Sequence, residues 1–225
     1  MEPQPLYFTK KDLLTMTGRT HRALDGQIHR ALKSNIFMKL KNGLYMATSN
    51  YLQEQNKVQL LECTGHHIYQ PSYLSLEYVL EKHHLLESTM PKTSTALTSI
   101  TTKTNRTFTN FAGTFVYRNI KSNLYFGYEE STFRDKTYHV ATKAKALFDY
   151  LYLKPKFGTR REKHLHIELF KKSSIQWGNF FEKDLEQFES YVWKSNSSKM
   201  MRILRAIEKY FENKKFEVWK KELLK

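Results

Sequence analysis

Asn42-Gly43 stands between two apolar runs, IFMKL and LYMA, and is the strongest hairpin signal that a short stretch of sequence offers. A two-residue reversal needs positive φ at both central positions, which Asn and Gly tolerate and most side chains do not. The spacing predicts a β-hairpin with Lys39, Lys41 and Asn42 along its tip. What precedes it is helical. Phe8-Thr9 leads into KKDLLTMTG, with Thr9 placed as cap, Asp12 as its capping-box partner three residues on, and Gly18 as the stop. Residues 19–35, RTHRALDGQIHRALKSN, then set Leu24, Ile28, Ala31 and Leu32 on one face at about 100° per residue. Arg19, Arg22, Gly26, His29, Arg30 and Lys33 fall on the other.

Two short helices, a four-turn helix and a basic-tipped hairpin are the parts of a winged helix-turn-helix. Its second helix enters the major groove, and the wing lies along the phosphates. The candidate DNA-binding residues are therefore Arg19, Arg22, His29, Arg30, Lys33, Lys39, Lys41 and Asn42. A basic helix face is usually only a solvated face, and the same shape also serves protein–protein contacts. Four cations and a histidine on one face, followed by a basic hairpin, are a combination rather than a single hit. Charge points the same way: 37 Lys and Arg against 22 Asp and Glu leave +15, a surplus that suits a polyanion. Residues 1–50 carry net +5, 51–71 net −1, 72–153 net +3 and 154–225 net +8.

That distribution divides the chain into a winged helix-turn-helix at 1–50, a connecting helix at 51–71 and a second domain at 72–225. The connecting helix offers Leu52, Val58, Leu61 and Ile68 as core positions, and Pro71 marks the boundary. SYLSLEYVLEKHHLL, residues 72–86, reads as an amphipathic helix. TALTSITTK, TFTNF, GTFVYRNI, LYFGYEES and KTYHVA alternate with period two and read as strands, with turns at Gly113 and Arg134-Asp135. KAKALFDYLYL opens a further helix with Thr142 as cap. Beyond residue 154 three apolar stripes follow at helical spacing: Phe180, Phe181, Leu185, Phe188 and Val192; Met200, Ile203, Leu204, Ile207 and Phe211; Phe216, Trp219 and Leu223. The expected class is α+β, a small domain of antiparallel strands between the winged helix and a helical C-terminal tail.

Catalytic templates are missing. The chain lacks GxxxxGKS/T, GxGxxG, GxSxG and HExxH, and also the Gly-Ser or Gly-Gly element with paired carboxylates by which a nucleotidyltransferase holds metal. Cys63 is the only cysteine, which excludes an intramolecular disulfide and a CxxC zinc site and reads as a buried inert thiol. His66-His67, His83-His84 and His164/His166 cannot easily share a metal, since adjacent helical side chains diverge and no further ligand stands at metal spacing, so they are expected at the surface or facing a partner. Glu129-Glu130, in a strand, points to opposite faces. No catalytic, cofactor or metal residue is assigned. With no apolar run of about 18 residues and no signal-like segment near Met1, a cytoplasmic protein with no membrane partner is expected.

FTKKDLL and RALKSNIFMKLKNGLYMA resemble the N-terminal winged helix of AbiEi-type antitoxins, the regulators of type IV toxin–antitoxin and abortive-infection systems of phage defence. SYLSLEYVL, LTSITTKTNRTF, GTFVYRNI, LYFGYEE and ATKAKALFDYLYL follow in the order of that family's second domain. The resemblance spans roughly residues 6–153; it departs at His83-His84, where His-Gly would be usual, and at Lys143-Ala144, which replaces Pro-Glu. It implies a repressor that binds inverted repeats in its own promoter. It also implies an antitoxin against a nucleotidyltransferase-like toxin, neutralised without a stable complex, and leaves self-association on DNA open. Two alternatives stand beside it: a winged-helix regulator whose second domain oligomerises or senses a ligand, and an enzyme that modifies the toxin or its RNA target.

Overall fold

Thr9 sits where strand gives way to helix. Its hydroxyl accepts from the Asp12 amide at 3.2 Å while the Asp12 carboxylate accepts from the Thr9 amide at 2.7 Å, so both halves of the capping box are made. β1 (Phe8–Thr9) thus runs straight into α1 (Lys10–Thr17). The computed structural model describes residues 5–87, 96–154 and 162–223, with 162–163 and 214–223 described by backbone alone. α2 (His21–Lys33), capped by Thr20, buries Leu24, Ile28 and Ala31. β2 (Phe37–Lys41) and β3 (Leu44–Ala47) form the hairpin, and β1 pairs antiparallel with β3, giving the order β1-β3-β2. The turn differs from expectation. Positive φ falls on Gly43 alone of the Asn-Gly pair (φ 79), and the register shifts between Lys39 and Lys41. The shift marks a bulge, where a strand pair bends and twists more strongly, and Leu40 between the two lysines is buried.

α3 (Thr48–Gln53) and α4 (Lys57–Ile68) follow. Leu61 and Ile68 are in the core as expected, but Leu52 and Val58 are 68% and 56% exposed. The single helix expected over 72–86 is instead a strand, β4 (Ser72–Leu74), and a short helix, α5 (Leu76–Lys82). All three residues of β4 are buried. A strand covered on both faces shows no alternation, so its apolar run cannot be told from helix by period alone. Pairing decides it: Ser72 lies opposite Thr101 and Leu74 opposite Ser99 of β5 (Ala96–Thr101), antiparallel.

β6 (Arg106–Asn110) and β7 (Gly113–Asn119) form a second antiparallel hairpin; β8 (Tyr128–Phe133) and β9 (Lys136–Ala141) flank the Arg134-Asp135 turn. The expected strand at 124–131 begins only at Tyr128, because Ser122–Leu124 make a 3-10 turn. The six strands run β6-β7-β5-β4-β9-β8. α4 lies against β4 and β5. A Cβ at Gly65 would stand 3.2 Å from Phe115 Cδ1, so the absent side chain sets how closely α4 can lie, and the Tyr117 hydroxyl donates to the Gly65 carbonyl.

α6 (Lys143–Leu153) starts at Thr142, whose hydroxyl accepts from the Lys145 amide at 3.2 Å. α7 (Glu162–Ile167) continues into a π-helical turn at Glu168–Lys172, followed by α8 (Glu182–Ser195) and α9 (Ser198–Leu223). α6 packs against α5, α8 and α9. Phe180, Phe188 and Val192 are buried, as are Met200, Ile203, Leu204 and Ile207. Phe181 breaks the first stripe at 61% exposure: it is the extended residue ahead of α8, outside the helical period. The side chains of Phe216, Trp219 and Leu223 lie outside the described residues.

The chain is mixed α+β and divides into two compact units. One comprises Met1–Leu74, Met90–Arg118 and Glu130–His139; the other comprises Ser75–Thr89, Asn119–Glu129 and Val140–Lys225. Among the described residues, no helix is long and apolar enough to cross a membrane.

Candidate nucleic-acid interface

With Leu24, Ile28 and Ala31 turned inward, the helical period puts Arg22, His29, Arg30 and Lys33 in solvent, where all four are exposed. Arg19 is exposed too, but it precedes α2, which begins only after the Thr20 cap. A Cβ at Gly26 would lie 3.5 Å from Arg30 Nη1, so the guanidinium rests beside the glycine one turn back. Asp25, the one carboxylate of α2, pairs with Lys10 at 2.6 Å. The pair is exposed and adds little stability, yet it offsets the single negative charge on a cationic helix. Arg30 and Lys33 also occupy the last turn, where the helix dipole favours cations whatever the partner.

The hairpin divides its expected contacts. Lys39 and Asn42 are exposed. Lys41 is half-buried, and its ammonium donates to the Ile68 carbonyl at 2.5 Å, at the end of α4 where helix carbonyls lack partners within the helix. Burial holds this lysine below the ordinary range, with the Lys103 charge adding to it. Lys103, exposed in the β5–β6 loop, was not legible as a site residue, because TALTSITTK reads as a strand through residue 103. The available signal was the polar TTKTNR cluster, which is loop composition carrying two cations.

Other polar clusters lie inside. His66, expected at the surface, is buried on α4, and its Nδ1 donates to the Ser72 carbonyl at 2.8 Å. Its ring centroid is 4.9 Å from that of His139 and 5.2 Å from that of His67. Burial first, then the two neighbouring imidazoles, pull its pKa down to about 4. Cys63 is buried and desolvation pushes its thiol up to about 11. Among the described residues, no group of three or more His, Cys, Asp or Glu could hold a metal ion.

On α6, Lys145 is 0% exposed; its ammonium donates to Asp149 at 2.5 Å and to the Leu124 carbonyl at 3.0 Å, between the rings of Phe126 and Phe148. The Ser75 hydroxyl donates to the same carboxylate at 2.8 Å. A Lys and an Asp four residues apart in the apolar KAKALFDYLYL were the signal for this pair. Ser75, Lys145 and Asp149 are all buried, so the cluster is an internal tie and offers no surface to a solute. No protein-family model matches the chain, and no curated protein matches it either.

Proposed function

We propose that this chain is a cytoplasmic DNA-binding autorepressor and type IV antitoxin of the AbiEi type, acting by binding rather than by catalysis. The observation that carries the DNA reading is the exposed cationic face of α2 followed by a hairpin whose solvent side bears Lys39 and Asn42. The order strand, helix, helix, hairpin, with β1 closing on β3, is compatible with a winged helix-turn-helix and supports the reading of α2 as the helix for the major groove. From Arg22 to Arg30 the helix rises about 12 Å, room for three to four base pairs at ~3.4 Å each. Arginine suits the task because its guanidinium can pair with two acceptors of guanine at once. One such module makes few contacts, and two copies on promoter repeats would raise affinity through effective concentration. The antitoxin half is supported by the ordered motifs from SYLSLEYVL to ATKAKALFDYLYL.

The test uses the full chain. Arg22→Ala and Arg30→Ala should each weaken binding to a promoter fragment by about 1–3 kcal/mol and relax base preference. Lys39→Ala should weaken specific and random duplexes alike. Wild-type chain should also rescue growth when the neighbouring gene product is induced. Unchanged gel shifts for both arginine variants would remove α2 as the reader, and lack of rescue would remove the antitoxin assignment.

A further inference from the structure

The β5–β6 loop has the composition of a mobile segment, yet it is tied down. Thr101 Oγ1 donates to the Pro71 carbonyl at 2.7 Å and accepts from the Lys103 amide at 3.2 Å. The Tyr69 hydroxyl reaches the Thr104 carbonyl at 3.3 Å and its Oγ1 at 3.2 Å. Lys103 is therefore held from both sides against the α4–β4 connection, and its exposed side chain is presented from a fixed backbone. Its ammonium stands 5.6 Å over the Tyr69 ring. Tyr69 and Phe108 are half-exposed and rest on the buried Tyr117, with centroids 5.2 and 5.8 Å from it. Arg106 is exposed at the start of β6, the outermost strand on that side of the sheet.

Lys41 completes the arrangement from the hairpin side. Among the described residues, the charged or titratable groups that act on it are Lys103, which opposes its charge, and Tyr69. The like charges of Lys41 and Lys103 oppose each other, and a polyanion would ease that repulsion. The hairpin is joined to this surface directly, since Asn110 Nδ2 of β6 donates to the Leu40 carbonyl at 2.9 Å. A backbone pinned before binding also loses little freedom on contact.

We infer that Lys103 and Arg106 form a second phosphate-contacting surface, continuous with the β2–β3 hairpin, which grips duplex DNA beside the base pairs that α2 reads. This rests on the DNA-binding reading above. It places the phosphate grip partly outside the hairpin, on a loop that the winged module alone does not contain.

The experiment titrates the full chain and a Lys103→Gln/Arg106→Gln double variant by fluorescence anisotropy, on promoter and random duplexes of equal length, across a salt series. Both sites are exposed and glutamine keeps much of each stem, so thermal melts of variant and wild type should superimpose. If they do not, Lys103→Arg with Arg106→Lys, which keeps the charge, must bind as wild type. Two lost phosphate contacts make the log–log salt slope shallower by about two units and lower affinity on the order of tens-fold at ~0.1 M salt. Both duplexes should suffer equally. A wild type that binds duplex while the Gln variant keeps its slope overturns this inference and leaves the proposed function standing. A wild type that binds no duplex at any salt overturns the DNA reading itself. Tighter binding to single-stranded RNA of the same length, lost in the Gln variant, overturns the choice of duplex DNA.

Discussion

Replacing Lys145 by Met removes a cation from a place where water cannot take over. Its ammonium is 2.5 Å from Asp149, and both side chains are fully buried. The variant leaves a carboxylate inside the protein, and breaking one side of a buried pair costs about 3–5 kcal/mol. The carboxylate left behind can also take up a proton. Freed of its counter-charge, Asp149 can be accommodated neutral, but holding it neutral at pH 7 against an unfolded value near 3.9 costs about 4 kcal/mol. At pH 5 the same cost is only about 1.5 kcal/mol. The sign follows: a carboxyl whose folded pKa is raised has its stability intact at low pH and loses it as pH rises past the unfolded value. Lys145→Met should therefore be unstable at neutral pH and recover on acidification relative to wild type. At about 2–4 °C per kcal/mol, the pH 7 melting point should fall by roughly 8–16 °C. Thermal and urea unfolding followed by tryptophan emission measure it, since Trp177 and Trp193 belong to the same compact unit as Lys145. The double variant Lys145→Met/Asp149→Leu should lie nearer wild type than the single. A loss under about 1 kcal/mol at pH 7, or one that does not shrink at pH 5, would refute the buried ion pair.

His66 titrates near 4 when folded against about 6.5 when unfolded, so the unfolded chain takes the proton first and stability falls as pH drops through that window. The fall should amount to about 3 kcal/mol, and His66→Gln should flatten it; parallel pH profiles for the two proteins would count against the buried neutral imidazole. Cys63, buried and with its thiol pushed up to about 11, should react with an aromatic disulfide reagent at pH 8 only as fast as the protein opens; free-thiol rates in the native protein would contradict this. Thr9→Ala removes the hydroxyl half of the α1 capping box and should cost about 1 kcal/mol, read as a lower urea midpoint for Cys63 labelling. An unchanged midpoint would show that the cap carries no weight.

Legibility followed the range of the interaction that decides each position. α1, α2 and the hairpin are set by neighbours within a few residues, so capping, the helical period and the Asn-Gly turn were enough to place Arg22, His29, Arg30, Lys33, Lys39 and Asn42 in solvent. Lys41 depended on a bulge and on a carbonyl 27 positions away, neither of which leaves a local mark. Ser72–Leu74 became a strand because β5 pairs with it, and its buried run carries no period to announce that. His66 and Lys145 are polar residues whose burial is made tolerable by partners elsewhere, the Ser72 carbonyl and the Leu124 carbonyl with Asp149. Side-chain type alone would have put both outside.

The interleaving of the first compact unit has a consequence for synthesis. Its opening stretch ends at Leu74, but its last strand residues run to His139, 65 positions later. A ribosome adding about 5–20 residues per second needs roughly 3–13 s to cover that distance. During that interval α2 and the hairpin have been made but β9 has not, and over its earlier part Tyr73 and Leu74 also wait uncovered for β5, which ends at Thr101. The unit that carries α2 is thus completed late, after more than half the chain has been made. A message cut short within that window yields a basic fragment whose first unit is unfinished, so under the proposed function repression would be reserved for chains translated well past α2.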